Sequence, residues 1–449
     1  MPLLQLVIDV SGITATSFSN PFATAAFLFI NGGWVIVVPA ILWGLWQAYV
    51  LYIQLRYDAS IEFILLAIDV PKENEQSPKA VEQIFAHLSG IQKKANLVER
   101  FIHGYNQQSF SLELVSIGGY IQFIIRTPKE HRDLVEAAVY AQYPDAEISE
   151  IDDYVPQLKP DFPNEYNLWG TEFKLTGAPP KPIRTYPSFE HTLSQKFLDP
   201  MASTLEIMSR LRPGEQIWLQ LNVTPTLDDR WREAGERLIR KLIKAKVEQG
   251  GGGVLGLPGN VALGTYETLT RTLFEPGAEE RKQDTSKFPT LMQHLPPNEK
   301  AVVESIGIKI SKIAYEAKFR FIYFAHRSVF DKSRVPAVVG AIKQLNTLDL
   351  NGLIPNKKIS TKIDYFMIRT RERWRKAKLY YGYRARSMRR GQKKLVLNVE
   401  ELATIYHFPV MDVKAPLVKR TESKRSEPPL ALPVAPPEIQ GAVEAPPPR

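Results

Sequence analysis

The chain has 449 residues, 44% of them hydrophobic, which is enough for two or three domains each with its own core. It contains no cysteine, which excludes disulfides, thiolate metal sites and cysteine nucleophiles. The formal charge of +9 points to an acidic partner such as nucleic acid or an anionic lipid surface, and where that charge sits matters more than its sum.

Residues 1–31 precede an uncharged run, Gly32–Ile53, GGWVIVVPAILWGLWQAYVLYI. As a helix this run rises about 33 Å against a hydrocarbon core of about 30 Å, so it is expected to cross a membrane once. Trp34 stands near one end and Trp43, Trp46, Tyr49 and Tyr52 crowd the other, where an apolar ring body with a polar edge suits the headgroups. A cleaved signal peptide would need a basic leader, and no Lys or Arg precedes Arg56. The same asymmetry is expected to leave residues 1–31 outside and the C-terminal bulk in the cytoplasm.

The apolar, β-branched run Ile61–Ile68 predicts a buried strand. A helix follows, with Ser77 as its cap, Pro78 in its first turn, and Val81, Ile84, Phe85 and Leu88 on one face. FSLELVS from Phe110 and YIQFIIRT from Tyr120 alternate about Gly118-Gly119 and predict a hairpin. Glu130–Tyr143 reads as a helix and Ala146–Ile151 as a closing strand. Residues 59–155 are therefore expected to form a ferredoxin-like unit, βαββαβ.

The order recurs over residues 165–356. Glu172–Thr176 is the expected first strand, Met201–Leu211 a helix, Ile217–Val223 a strand, Ala317–Phe324 a strand, Val335–Leu345 a helix, with a short strand near Leu350. A largely helical insertion, 228–313, opens this second unit, beginning with an amphipathic helix at Arg230–Val247. The fold class is thus α+β: one membrane helix, two ferredoxin-like units, and a disordered Pro-rich tail at 427–449.

Within the insertion, Gly250–Asn260 (GGGGVLGLPGN) is glycine-rich enough to suggest a phosphate cradle. It lacks the Lys-Ser or Lys-Thr of a P-loop, and it also fails the GxGxxG fingerprint, which needs a preceding strand. It reads as a loop. The histidines show no HExxH spacing, no GxSxG elbow occurs, and Asp152-Asp153 reads as a solvated turn, so neither a catalytic residue nor a cofactor is expected.

Residues 357–394 carry fifteen Lys or Arg against Asp364 and Glu372, a local charge of +13 that leaves −4 on the rest of the chain. The candidate binding residues here are Arg369, Arg371, Arg373, Trp374, Arg375, Lys376, Lys378, Tyr380, Arg384, Arg386, Arg389 and Arg390. Cations that pair phosphates, interleaved with rings that stack on bases, suit nucleic acid. Charge alone leaves anionic lipid and an acidic protein partner equally open.

Four stretches carry a resemblance: SPKAVEQIFAHLSGI (77–91), FSLELVSIGGYIQFIIRTPKEHRDLVEAAVYAQYPDAEI (110–148), EQIWLQLNVTP (215–225) and VLNVEELATIYHFP (396–409, opening a C-terminal segment 395–426). They resemble the membrane-anchored N-terminal region of bacterial type IV secretion and conjugation ATPases, from the span to about Pro433. In that family ELATIYHFP and ESKRSEPP lead into a motor domain with a Walker motif, whereas here a Pro-rich tail follows. The resemblance implies a bacterial inner-membrane component working beside a separately encoded secretion ATPase. With no P-loop in the sequence, the expected role is a non-enzymatic scaffold whose partners are that ATPase, other apparatus subunits and copies of itself, and the basic segment adds DNA or anionic lipid.

Overall fold

In the computed structural model the apolar run becomes helix α1, Trp34–Ser60, continuous through Pro39 and running seven residues beyond the uncharged stretch. The structure describes residues 33–71, 76–155, 165–189, 198–243 and 295–410, together with the single positions 22, 25, 29 and 74. Gly250–Asn260, most of the insertion 228–313, the tail 427–449 and nearly all of 1–31 lie outside the described residues.

The elements that follow α1 are β1 (Phe63–Asp69), α2 (Pro78–Leu88), α3 (Leu97–Phe101), β2 (Phe110–Ile117), β3 (Tyr120–Pro128), α4 (Arg132–Tyr140) and β4 (Glu147–Ile151). Then come β5 (Tyr166–Leu175), α5 (Ala202–Ser209), β6 (Glu215–Pro225), α6 (Arg230–Leu242), α7 (Pro297–Ser311), β7 (Ala314–His326), α8 (Arg334–Lys343) and β8 (Leu353–Pro355). The chain continues with α9 (Ile368–Arg384), β9 (Leu395–Asn398) and α10 (Val399–Ile405).

Local chemistry explains several of these elements. Gly118 and Gly119, at φ +58° and +94°, supply the two left-handed residues that a tight β2–β3 turn requires. Pro78 opens α2 and its apolar stripe is buried, but the Ser77 side chain makes no capping bond, contrary to the expected cap. A cap of the expected kind occurs at α10 instead, where Asn398 and Glu401 bond each other's backbone N–H reciprocally. Strand β5 begins at Tyr166, six residues before its expected start, because Tyr166–Glu172 pairs with Arg320–His326 of β7. That partner lies some 150 residues away and is invisible to local periodicity.

All strand pairs are antiparallel, and the order is β4-β1-β3-β2-β6-β7-β5-β8, with β9 added on β7. Residues 59–155 contribute the order β4-β1-β3-β2, and 165–356 the same order reversed about the junction, which is compatible with the ferredoxin-like pattern in each. The β2–β6 pairing, from Phe110↔Val223 to Ile117↔Gln216, makes them one sheet. This removes two exposed strand edges, which would otherwise template aggregation.

Helices α2, α4, α5, α8 and α10 pack on one face of the sheet around Phe85, Phe123, Leu205, Tyr315 and Leu402. Phe408, just beyond α10, closes that core against Phe123 and Tyr143, at ring-centroid distances of 5.2 and 5.0 Å. The opposite face holds a second core of Leu65, Ile124, Trp218, Ile322 and Phe324, covered by Leu379, Tyr380 and Tyr383 of α9.

Candidate functional site

Helix α9 is the centre of the basic segment, and its long straight-chain residues favour the helical state. One face is a lid on the sheet. Leu379, Tyr380 and Tyr383 are buried there, Trp218 lies 5.3 Å from the Tyr383 ring, and Lys376 bonds Asn167 at 2.7 Å and Glu372 at 2.6 Å. The outer face carries Arg369, Arg371, Arg373, Trp374 and Lys378, all exposed, with the Lys378 ammonium 4.6 Å from the Trp374 ring centre. Arg375 clasps the carbonyls of Lys357, Ser360 and Lys362. Arg384 is half-buried, and Arg389 and Arg390 are exposed beyond the helix.

Three of the expected binding residues are therefore withdrawn from ligands. Lys376 and Tyr380 are 9% and 0% exposed because their face of α9 seals the second core, and Arg386, past the end of α9, is 4% exposed because Glu113 and Asp153 hold it inward. The aromatic residues expected to stack on bases are in part an apolar stripe that packs on the sheet.

Under α9 a polar row crosses four adjacent strands. Glu113 of β2 stands opposite Gln220 of β6, Gln220 opposite Arg320 of β7, and Arg320 opposite Glu172 of β5. Gln220 donates to Glu113 at 2.9 Å, and Arg320 donates to Gln220 at 3.0 Å and to Glu172 at 2.8 Å. Arg386 completes the row, donating to Glu113 at 3.0 and 3.2 Å and to Asp153 at 2.9 Å. Ser111 and Tyr154 also donate to Glu113, at 2.6 and 2.8 Å. Burial pushes the Glu113 carboxyl up, but the Arg386 charge and these hydrogen bonds outweigh it and hold the group below its ordinary value. Asp153, expected as a solvated turn residue, does remain exposed, but its carboxylate pairs with Arg386 and is likewise held low. Hydrogen-bonded throughout and covered by α9, this row ties four strands together.

The open site lies where this row meets the foot of α1. A cavity of about 680 Å³ is lined by Asp58 and Ala59 from α1, Phe63, Arg126, Glu316, Asp228 and the stretch Ala385–Arg390 with Lys394. Arg389 pairs with Asp58 at 3.1 Å, Lys394 with Glu316 at 2.5 Å, and Asp228 with Arg230 at 2.6 Å. Arg126 has no carboxylate partner among the described residues and lays its guanidinium 3.6 Å over the Phe63 ring. Burial, with Arg386 close by, pushes Arg126 down to about 10. A desolvated guanidinium facing a cavity of this size suits an anion. Arg126 was missed because it sits in an apolar strand. The available signal was that Glu113 and Arg126 both interrupt hydrophobic runs of one hairpin, whose second face therefore had to meet a polar covering.

Lys318, whose ammonium donates to the Arg390 carbonyl at 2.5 Å, yields a pH test. Burial, reinforced by Arg320 and Lys394 against the pull of Glu172, pushes it down from 10.5 to about 8. The folded state then binds this proton less tightly than the unfolded chain, so stability is withheld below pH 8 and grows as pH climbs toward 10.5. The thermal midpoint is expected to rise over this window, and Lys318→Met to flatten the rise. An unchanged profile in the variant would remove Lys318 as its source.

Trp34, Trp43, Trp46, Tyr49 and Tyr52 are all exposed along α1, which is long and apolar enough to cross a membrane. No protein-family model matches the chain, and no curated protein matches it.

Proposed function

We propose that this chain is a non-enzymatic scaffold of a type IV secretion or conjugative DNA-transfer apparatus, anchored by α1 in the bacterial inner membrane. Its two ferredoxin-like units, joined edge to edge, form the platform, and a separately encoded ATPase supplies the work. The observation that carries this reading is spatial. The four stretches that resemble the family, 77–91, 110–148, 215–225 and 396–409, are far apart in sequence yet pack as one body. Helix α10 lies on α2, α2 on α4, and β2 beside β3 and β6, with Phe408 on Phe123 and Tyr143. Residues that resemble one module and also build one core support a shared origin for that module. Photo-crosslinking from the exposed Trp374 position in native membranes is the test. Recovery of a P-loop ATPase and pilus-type subunits is expected, and a product set without them would count against the scaffold.

A second reading, a membrane-tethered nucleic-acid-binding module, is supported by the exposed cations of α9 beside Trp374. Single-stranded DNA is then expected to bind with strong salt dependence, its log–log slope falling by about 0.7 for each phosphate contact removed. Neutralising Arg369, Arg371, Arg373 and Lys378 to Gln is expected to weaken binding at least tenfold and flatten that slope. Equal affinity and slope in the variant would end this reading.

A further inference from the structure

We propose that the segment Lys93–His103 enters the membrane interface beside α1 and forms a second, shallow lipid contact. This rests on the reading that α1 crosses a membrane. The geometry behind it is a run of contacts in register along α1. Asn106 donates to Asp58 at 3.1 Å, the Tyr105 ring lies 5.5 Å from Tyr57, Gly104 sits against the Ile53 carbonyl, and the Phe101 ring lies 5.5 Å from Trp46. From Asp58 to Trp46 the helix covers about 18 Å, so the chain descends from the polar foot of α1 into its aromatic zone. Gly104 makes this approach possible: its φ is +70°, and a Cβ there would lie 2.4 Å from the Ile53 oxygen.

At the bottom of that descent α3 turns its apolar side outward. Leu97, Val98 and Ile102 are 74%, 51% and 63% exposed, three large side chains on one short segment. Asn96 and Glu99 cap α3 reciprocally, so the segment is locally built rather than slack. Lys93, Lys94 and Arg100 rim it, with Lys93 held to Glu99 at 2.7 Å and Arg100 lying 5.3 Å from the Phe101 ring centre. Apolar residues ringed by cations match the boundary between acyl chains and anionic headgroups. The occupant is the bilayer rather than a protein because Trp46, which Phe101 touches, belongs to the aromatic group Trp43, Trp46, Tyr49 and Tyr52 that marks the interfacial level of α1.

The chain has no cysteine, so single labels are clean. The full chain carrying Leu97→Cys, Ile102→Cys, Trp43→Cys or Leu348→Cys would be labelled with a fluorophore in vesicles of phosphatidylcholine and phosphatidylglycerol. Quenching by lipid-borne nitroxides would be compared with quenching by iodide. Trp43 reports α1 itself, and Leu348, 103% exposed, reports water. Labels at 97 and 102 are expected to be quenched several-fold more by shallow nitroxides than the label at 348, and to be shielded from iodide. If 97 and 102 behave like 348 while 43 lies in lipid, the proposal is overturned and the crossing of α1 stands. If 43 also behaves like 348, the crossing falls and the proposal with it.

Discussion

Replacing Arg386 by Met is expected to destabilise the protein by about 3–5 kcal/mol, because Glu113 would remain buried without the cation paired to it. Glu113 is fully buried, so its charge has no route back to water, whereas Asp153 keeps a 40% exposed side chain and can rehydrate. Pairing Arg386→Met with Glu113→Gln is expected to recover most of the loss, since a neutral amide leaves no bare charge. Urea unfolding in detergent, followed by the fluorescence of Trp218 beside Tyr154 and Tyr383, measures both. The acid limb gives an independent check. Glu113 and Asp153 are held below their ordinary values, so they contribute stability that is complete above the unfolded carboxylate range, about 4, and is lost as pH falls through their lower folded values. Without Arg386 the acid transition is expected to move to higher pH. A single variant that unfolds at the wild-type urea concentration would mean that the row across the sheet contributes nothing.

Phe408→Ala is expected to cost about 3–5 kcal/mol, the range for deleting a buried aromatic side chain. Phe408 is 1% exposed and touches Phe123 of β3, Tyr143 after α4, and Tyr406. It is the point where the last described residues of the chain are tied to residues nearly 300 positions earlier, a tie that Asn74 extends by donating to the Pro409 carbonyl at 3.0 Å. Amide exchange should show α10 losing protection together with α2 and β3 rather than fraying alone. Fast exchange confined to 399–410, with an unchanged thermal midpoint, would show that this segment is an appendage instead of part of the core.

Much of the architecture follows from local pattern. The uncharged run with its aromatic end, the hairpin about Gly118-Gly119, and the stripe Val81, Ile84, Phe85, Leu88 each declare their element because hydrophobic period and turn chemistry are properties of neighbouring residues. The mixture of strands and helices was legible for the same reason. Where a partner far along the chain decides the outcome, the pattern falls short. Tyr166–Gly170 becomes strand only because β7 lies beside it, and the two strand sets become one sheet only because β2 finds β6. The candidate site divides in the same way. That positive charge concentrates between Lys357 and Lys394 is a count of residues and needs no fold. Which of the segment's residues meet solvent depends on which face of α9 the second core claims, which buries Lys376 and Tyr380 and exposes Trp374 and Lys378, and on Glu113 and Asp153, which draw Arg386 inward. Arg126 joins the cleft through sheet register, and the descent of Lys93–His103 along α1 depends on Gly104 reaching Ile53. Composition and periodicity act over a few residues, whereas burial is decided by whatever the fold brings alongside. In this chain the packing of α9 and the register of the strands separate the charges that hold the sheet from those that face solvent.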